Sequence, residues 1–350
     1  MSVTNLDSHV SSVDKILDSY GALTQRAMQS ALPNREPRSW LYDLVACYPA
    51  RGGKAIRPSL CLATCGAFGG RIAEALPSAT AIELMHNAFL IHDDIEDESL
   101  LRRGASTLHT MHGSALALNA GDALFVTAQG CVHANLDLLG PRLARRVADE
   151  FLVMAQRTTE GQATELGWMR DHVVDLTPDD YLDMVMRKTC WYTTVHPLRI
   201  GALIGSWGSV PLEPFVRFGF HLGAAFQIQD DLLNLCGDQV RYGKEILGDL
   251  LEGKRTLMLI HLLRVVRGRD RKHLVAYLGR PRSSRTVPEA EHVRDLMRAH
   301  GSIDFAREFA RGIAFEAEAS FERAFGARAA ATHHGEFVRG LIHYMLARTS

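Results

Sequence analysis

Cysteine is scarce and scattered in this chain. Its six cysteines among 350 residues (Cys47, Cys61, Cys65, Cys131, Cys190 and Cys236) form no CxxC pair and no disulfide-like framework. Cys61 and Cys65 lie one helical turn apart, but no neighbouring pair completes a zinc site, which leaves reduced core thiols. Net charge is nearly absent too: 39 Lys and Arg against 40 Asp and Glu give −1. No global field recruits nucleic acid or an anionic membrane, so any function of charge is local. No run of about 18 uncharged apolar residues occurs, and no membrane span is expected. The N-terminus, MSVTNLDSHVSSVDKIL, lacks a basic segment followed by an apolar core, so the expected compartment is the reducing cytoplasm. Alternating β-branched segments are nearly missing, which argues against a sheet. What remains is 47% hydrophobic and 23% charged residues, a balance that fills a sizeable core.

Helical periodicity dominates the chain, and the expected fold class is all-α. SSVDKILDSYGALTQRAMQSAL opens on cap-like Ser and Asp and carries apolar residues at three- and four-residue spacing. A second helix begins near Pro58 and stops at Gly69-Gly70. PSATAIELMHNAFLIHDDIED follows, then a polar loop through ESLLRRGAST. Further helices are predicted over 116–137, 141–168, 178–207, 212–237, 254–266, 288–300, 303–327 and 335–348. Thr177-Pro178 reads as a cap with a first-turn proline, and Pro197 should kink or break its helix. The segments 238–253 and 267–287 read as flexible loops, the latter's arginines as a solvated surface. With no convincing linker, one domain is expected over 1–350. It has an N-terminal helix at about 8–32, a motif-bearing core at about 50–260 and C-terminal helices at about 288–348.

Acid is concentrated where a core helix ends. IHDDIEDESLLRRG carries Asp93, Asp94, Glu96, Asp97 and Glu98, then Arg102 and Arg103. Asp93 and Asp97 are one turn apart on one helix face. FQIQDDLLN repeats the pattern with Asp230 and Asp231, 137 residues after Asp93, and Asn234 stands where a third acid would be. Like charges at this spacing destabilise a helix, and one cluster alone is as readily a solvated helix end paired with Arg102 and Arg103. Two clusters on apolar helices point instead to a divalent cation. Oxygen-only donors suit Mg²⁺, which keeps waters and takes phosphate oxygens, so facing clusters would hold several Mg²⁺ ions around a diphosphate. Basic residues accompany the acids: Lys54 and Arg57 in RGGKAIRP at a helix start, Lys188 beside Thr189, and Lys244, Lys254 and Arg255 in YGKEILGDLLEGKRT.

Six blocks, GGKAIRP, HDDIEDESLLRRG, NAGDALF, RKT, FQIQDD and GKEILGDLLEGKRT, occur in the order seen in trans-isoprenyl diphosphate synthases (polyprenyl synthetases). The chain resembles that family from about residue 50 to 260. The resemblance implies a single large helical bundle of the isoprenoid synthase type with a central active-site cavity, and a prenyltransferase that condenses an allylic diphosphate with isopentenyl diphosphate. Asp93, Asp94, Asp97, Asp230 and Asp231 would be Mg²⁺ ligands or their immediate partners. Arg102, Lys188, Thr189, Gln227, Lys244 and Lys254 would serve the allylic diphosphate. Lys54, Arg57, His86 and Arg103 would bind isopentenyl diphosphate. His86 alone would more often be a satisfied core histidine; its place seven residues before Asp93 favours the ligand reading.

Departures from the family pattern are Asn234, Cys190 after Lys188-Thr189, and Glu165 where Asp is common. Chain length in the family follows residues just before the first acid motif. Ala88 is small, Phe89 and Met85 narrow the channel, and geranylgeranyl diphosphate is the expected product, with a farnesyl or longer product as alternative. A terpene cyclase would want Ser and Glu where Asn234 and Asp238 stand. A non-catalytic subunit of a heteromeric synthase would typically lack one acid motif. The family also implies a homodimer, with NAGDALFVTAQGCVHANL as the expected contact helix.

Overall fold

The computed structural model of the protein describes residues 3–237 and 245–347. Lys244 and Asp238 lie outside the described residues. The helices are α1 (Val3–Ala31), α2 (Asp43–Ala50), α3 (Ile56–Ala67), α4 (Ile72–Glu96), α5 (Leu108–His112), α6 (Ser114–His133), α7 (Asn135–Arg170) and α8 (Pro178–Val185). They continue with α9 (His196–Gly205), α10 (Pro214–Cys236), α11 (Gly248–Glu252), α12 (Leu257–Val265), α13 (Gly268–Leu278), α14 (Val287–Ala299), α15 (Ser302–Ala330) and α16 (His333–Ala347). Extended pairing among the described residues is confined to a two-residue hairpin, Leu101–Arg102 against Ala105–Ser106, within the expected polar loop. The fold is all-α.

Local chemistry sets several of these boundaries. Thr177 caps α8 by accepting from the Asp180 amide at 3.2 Å, while Asp180 accepts from the Thr177 amide at 2.8 Å. Thr286 and Glu289 repeat the device at α14, with Pro288 in its first turn. Pro77 does not start α4, which begins a turn earlier with Arg71 paired to Glu74 at 2.9 Å.

The expected helix over 178–207 is three pieces. Between α8 and α9 the backbone widens into a π-helix, Met186–Val195, ending just before Pro197. Pro197 has no amide hydrogen to give the preceding turn, so the break falls there. The wide coil needs room on both sides. A Cβ at Gly161 of α7 would overlap the Lys188 backbone. One at Gly223 of α10 would stand 2.7 Å from Thr194 Oγ1 and 2.8 Å from Cys190 Sγ.

Two apolar clusters carry the packing, and α10 belongs to both. Its Phe215, Phe218, Leu222 and Ala225 join α3, α4, α6 and α9. Its Ala224, Ile228, Leu232 and Leu235 join α8, α12, α13 and α14. Each fully buried leucine here contributes about 1.5–3 kcal/mol relative to exposure. The ends of α4 and α10 are thereby fixed relative to one another by core.

The segment 267–287 is not a loop: α13 occupies most of it. Leu274, Tyr277 and Leu278 are buried on one face of that helix, and the arginines that disguised it bind protein. Arg285 donates to the carbonyls of Leu251 at 2.8 Å and Leu278 at 3.0 Å, and Arg282 pairs with Glu245 at 2.8 Å. Of the other expected loop, 238–253, the described part includes α11. Asn234 holds it, its Oδ1 accepting from the Asp249 amide at 3.1 Å and its amide donating to the Glu245 carbonyl at 3.3 Å.

The helix α6 is, among the described residues, long and apolar enough to cross a membrane by length and composition, with 33% of its window buried. It carries Asp122 and packs along α4 through alanines and Gly121. Leu118 and Val126 on α6, and Leu138 and Leu152 on α7, are exposed.

Candidate active site

A cavity of about 670 Å³ lies between the ends of α4 and α10 and the π segment. Asp93, Asp230 and Asp231 line it, as do Lys54, Arg57, His86, Arg102, Arg103, Lys188, Thr189, Gln227 and Lys254. The expected site residues therefore converge, with four exceptions among the described ones. Asp94 and Asp97 sit behind the wall, and of the chain-length trio only Phe89 lines the cavity. Met85 and Ala88 are fully buried in the core and do not line it.

At the end of α4, Asp94 is completely buried. Tyr48 donates its hydroxyl to Asp94 Oδ2 at 2.5 Å, and Arg102 forks onto Oδ1, its Nε at 2.8 Å. Burial pushes the Tyr48 hydroxyl up, and the Asp94 charge pushes it further. Burial works against the Arg102 charge, but Asp94 holds it firmly protonated. Arg102 Nη2 also lies 3.5 Å from Asp93.

Lysines cover the other two acids. Lys188 Nζ reaches Asp93 at 3.3 Å and is paired with Glu165; burial opposes its charge, and Glu165 and Asp93 hold it above the ordinary lysine range. Lys254 Nζ lies 2.5 Å from Asp97 and 3.0 Å from Glu252. Burial pushes Asp97 up against the pull of Lys254, and Asp97 Oδ1 is buried without a hydrogen-bond partner. Gln162 donates to Asp93 at 3.3 Å and to Glu96 at 2.5 Å.

At the end of α10, Tyr181 donates to Asp231 Oδ2 at 2.8 Å and Gln227 donates to Oδ1 at 2.7 Å. Thr189 completes the chain, its hydroxyl donating to Gln227 Oε1 at 2.9 Å. Burial pushes Asp231 well above the usual carboxylate range, and the neighbouring Asp249 adds to the effect. Asp249 lines the cavity, where Asn234 has placed it by its grip on the Asp249 amide. Asp249 thus gives this wall a third carboxylate although Asn234 does not. The sequence reading missed it, although it lies within the quoted GKEILGDLLEGKRT.

A third basic group lies across the cavity. Arg57 Nη1 and His86 Nε2 are 3.2 Å apart, and Arg57 donates to the Tyr192 hydroxyl at 2.9 Å with its guanidinium 4.5 Å over that ring. Arg103 donates to Asn87 Oδ1 at 3.4 Å; burial lowers its affinity for its proton, and Glu83 partly restores it. Burial pushes the Glu83 carboxyl up, opposed by Arg57 and Arg103. Below the acids the lining turns apolar and aromatic through Phe89, Leu90, Phe125, Leu166, Tyr192 and Phe226.

Among the described residues, no three His, Cys, Asp or Glu side chains close around a point as an ion cage. Chemically, the cavity offers two carboxylate walls, the first with lysines on it, a separate cationic pocket for an anion, and an apolar end. Tyr48, Tyr181 and Tyr192 were not found from the sequence. The first two lie 46 and 50 residues from the aspartates they hold, so no local spacing announces them.

The polyprenyl synthetase family model matches residues 38–296. A short chain isoprenyl diphosphate synthase of Methanothermobacter thermautotrophicus is 32% identical over 295 residues, covering 84% of this chain and 87% of that protein. A geranylgeranyl diphosphate synthase of Saccharolobus solfataricus is 30% identical, covering 74% and 76%. Among solved structures, geranylgeranyl pyrophosphate synthetase from Pyrococcus horikoshii is similar with TM-score 0.82 at 28% identity, covering 98% of this chain and 99% of that one. Polyprenyl synthase from Caulobacter crescentus, complexed with calcium and isoprenyl diphosphate, gives 0.84 at 25%, covering 97% and 98%.

Proposed function

Given that the chain belongs to the polyprenyl synthetase family and is a chain-elongating trans-prenyltransferase, we propose how its residues divide the work and which product they make. The observation that carries the reading is one cavity holding two acidic helix ends, a separate cationic pocket and an apolar end. Isopentenyl diphosphate binds through Lys54, Arg57, His86 and Arg103. The allylic diphosphate lies between α4 and α10, against Lys188, Lys254 and Arg102, with Thr189 and Gln227 beside it and Lys244 as a further partner. Its hydrocarbon tail enters the apolar end.

Mg²⁺ fits the donor set. Asp93, Asp230 and Asp231 line the cavity with carboxylate oxygens only, and behind Asp93 the orphaned Asp97 Oδ1 lacks a partner that a cation's water would supply. A one-sided carboxylate wall suits an ion that keeps waters and takes phosphate oxygens as its remaining ligands. When bound, Mg²⁺ supplies Lewis-acid neutralisation of the diphosphate. The chain's own contribution is electrostatic. Lys188, Lys254 and Arg102 face the charge that grows on the departing diphosphate as the allylic C–O bond breaks. The double bond of isopentenyl diphosphate supplies the electron pair of the new C–C bond. The proton then lost goes to the released diphosphate, so no protein base is assigned.

Geranylgeranyl diphosphate is the proposed product, in keeping with the relatives above. Incubating the purified chain with Mg²⁺, isopentenyl diphosphate and each allylic primer, then identifying the prenyl alcohols after phosphatase treatment, tests this. The twenty-carbon alcohol is expected, and Asp93→Ala should lower turnover by about 100- to 1,000-fold. No product from any primer would overturn the proposed roles and favour a non-catalytic subunit.

Leu118, Val126, Leu138 and Leu152 leave large apolar side chains exposed on α6 and α7, as protein contacts do. A second copy of the chain is the proposed partner, and the cytoplasm the proposed compartment. Sedimentation should give a dimer that Val126→Lys weakens; a monomer at all concentrations sinks the assignment.

A further inference from the structure

We infer that Phe125, on a helix with no phosphate-binding residue, limits product length by closing the tail end of the cavity against Phe89. The inference rests on the chain-elongating reading above. Phe89 lies four residues before Asp93 on α4, about one turn down the helix. Its ring meets Phe125 edge-on at 5.0 Å between centroids and Tyr192 at 5.6 Å. Of all α6, only Phe125 lines the cavity. Ala88 and Met85, from which the sequence measures the channel, lie outside the lining and are fully buried. A small side chain at 88 therefore opens nothing while the Phe89–Phe125 pair stays shut.

Each ring beside Phe89 has its own anchor. His92 packs against Phe125 at 6.0 Å. That imidazole sits in the notch left by Gly121, where a Cβ would overlap it, and its Nε2 is 3.3 Å from the Leu118 carbonyl and 3.5 Å from Asp122. Tyr192 is pinned by Arg57 on the other side. Aromatic pairs in this geometry hold each other beyond simple burial, so a growing chain must part rings that are independently fixed. Phe89 shares its helix with Asp93, whereas Phe125 comes from a different one. The barrier's size can therefore be changed at position 125 with no substitution on the helix that carries the first acid motif.

The test compares wild type, Phe125→Ala and Phe125→Trp, with Mg²⁺, isopentenyl diphosphate and farnesyl diphosphate or a shorter primer, reading the distribution of prenyl alcohols. Phe125→Ala should move the main product at least one isoprene unit longer, and Phe125→Trp should move it shorter. A Phe125→Ala protein that melts like wild type and releases the same products would overturn the inference. Where Phe125→Ala does not fold, Phe125→Leu is read by the same two outcomes. Wild type without product overturns the chain-elongating reading, and the inference with it. Wild type active with products unmoved by the Phe125 variants overturns the inference alone.

Discussion

At the end of α4 the buried aspartate, Asp94, is held by a tyrosine and an arginine; at the end of α10 its counterpart, Asp231, is held by a tyrosine and a glutamine. The geometry repeats: an apolar helix, an aspartate facing the cavity, and a second turned inward onto a phenol from a distant helix. The charge of the donor to the buried aspartate does not repeat. Arg102 neutralises the first pair from within the chain, and Lys188 and Lys254 cover its flanking acids. On the second wall burial pushes the Asp231 carboxyl up, the neighbouring Asp249 and Asp230 charges add to it, and the neutral donors Gln227 and Tyr181 offset only part. Two similar motifs in sequence thus differ in how the buried aspartate is held: Asp94 by a charged donor, Asp231 by neutral ones.

The sharpest way to break this comparison is to neutralise each buried aspartate in turn. Asp94→Asn strands a buried guanidinium, and denaturant unfolding should show a loss of about 3–5 kcal/mol. Asp231→Asn strands no charge and should cost only about 1 kcal/mol, the scale of one rearranged hydrogen bond. Equal losses would mean that the two ends are balanced alike.

A smaller effect comes from a partly buried carboxylate, Glu150, which represents the fully paired limit. Glu150 accepts from Arg199 at 2.6 and 2.7 Å and lies 2.8 Å from His196 Nδ1. Burial pushes Glu150 up, but the bonds from Arg199 and His196 bring it down to about 2, from an ordinary 4.5. A folded value below the unfolded one adds stability that is complete above pH 4.5 and lost as pH falls towards 2. The difference of 2.5 units corresponds to roughly 3 kcal/mol at most. His196, lowered by burial, has the same sign, since charging it below its ordinary 6.5 opposes the fold. Glu150→Gln should therefore be less stable than wild type at pH 7, the gap closing as pH drops from 4.5 to 2. A gap unchanged down to pH 2 would show that pairing is not its source.

Most helices were legible because their apolar residues recur at three and four positions, and the acid motifs were legible because their charges are adjacent in sequence. The segment around α13 was not, since its buried face is only Leu274, Tyr277 and Leu278 among arginines that look solvent-bound until their carbonyl partners are seen. The hairpin at 101–106 is too short for alternation to register. The π segment has no residue signature, so the expected single helix over 178–207 could not reveal its widened middle. In the site, charged groups near the motifs were found, while the tyrosines and the aromatic floor depend on helix pairings that no local pattern encodes. Ala88 and Met85 illustrate the same limit: spacing along α4 gives the turn on which they lie, but the packing of α6 decides which side of it is open.

The widened coil at Met186–Val195 also bears on which positions tolerate substitution. Lys188, Thr189 and Tyr192 owe their places to glycines on two other helices, Gly161 and Gly223, neither of which lines the cavity. Polar residues that line a wet cavity are commonly interchangeable with others of similar length at modest loss. A methyl group added at Gly161 meets backbone, which has nowhere to retreat. In a library of variants, the strictest positions of this site would then include ones that contribute no side chain and touch no ligand, identifiable only by the space they leave empty.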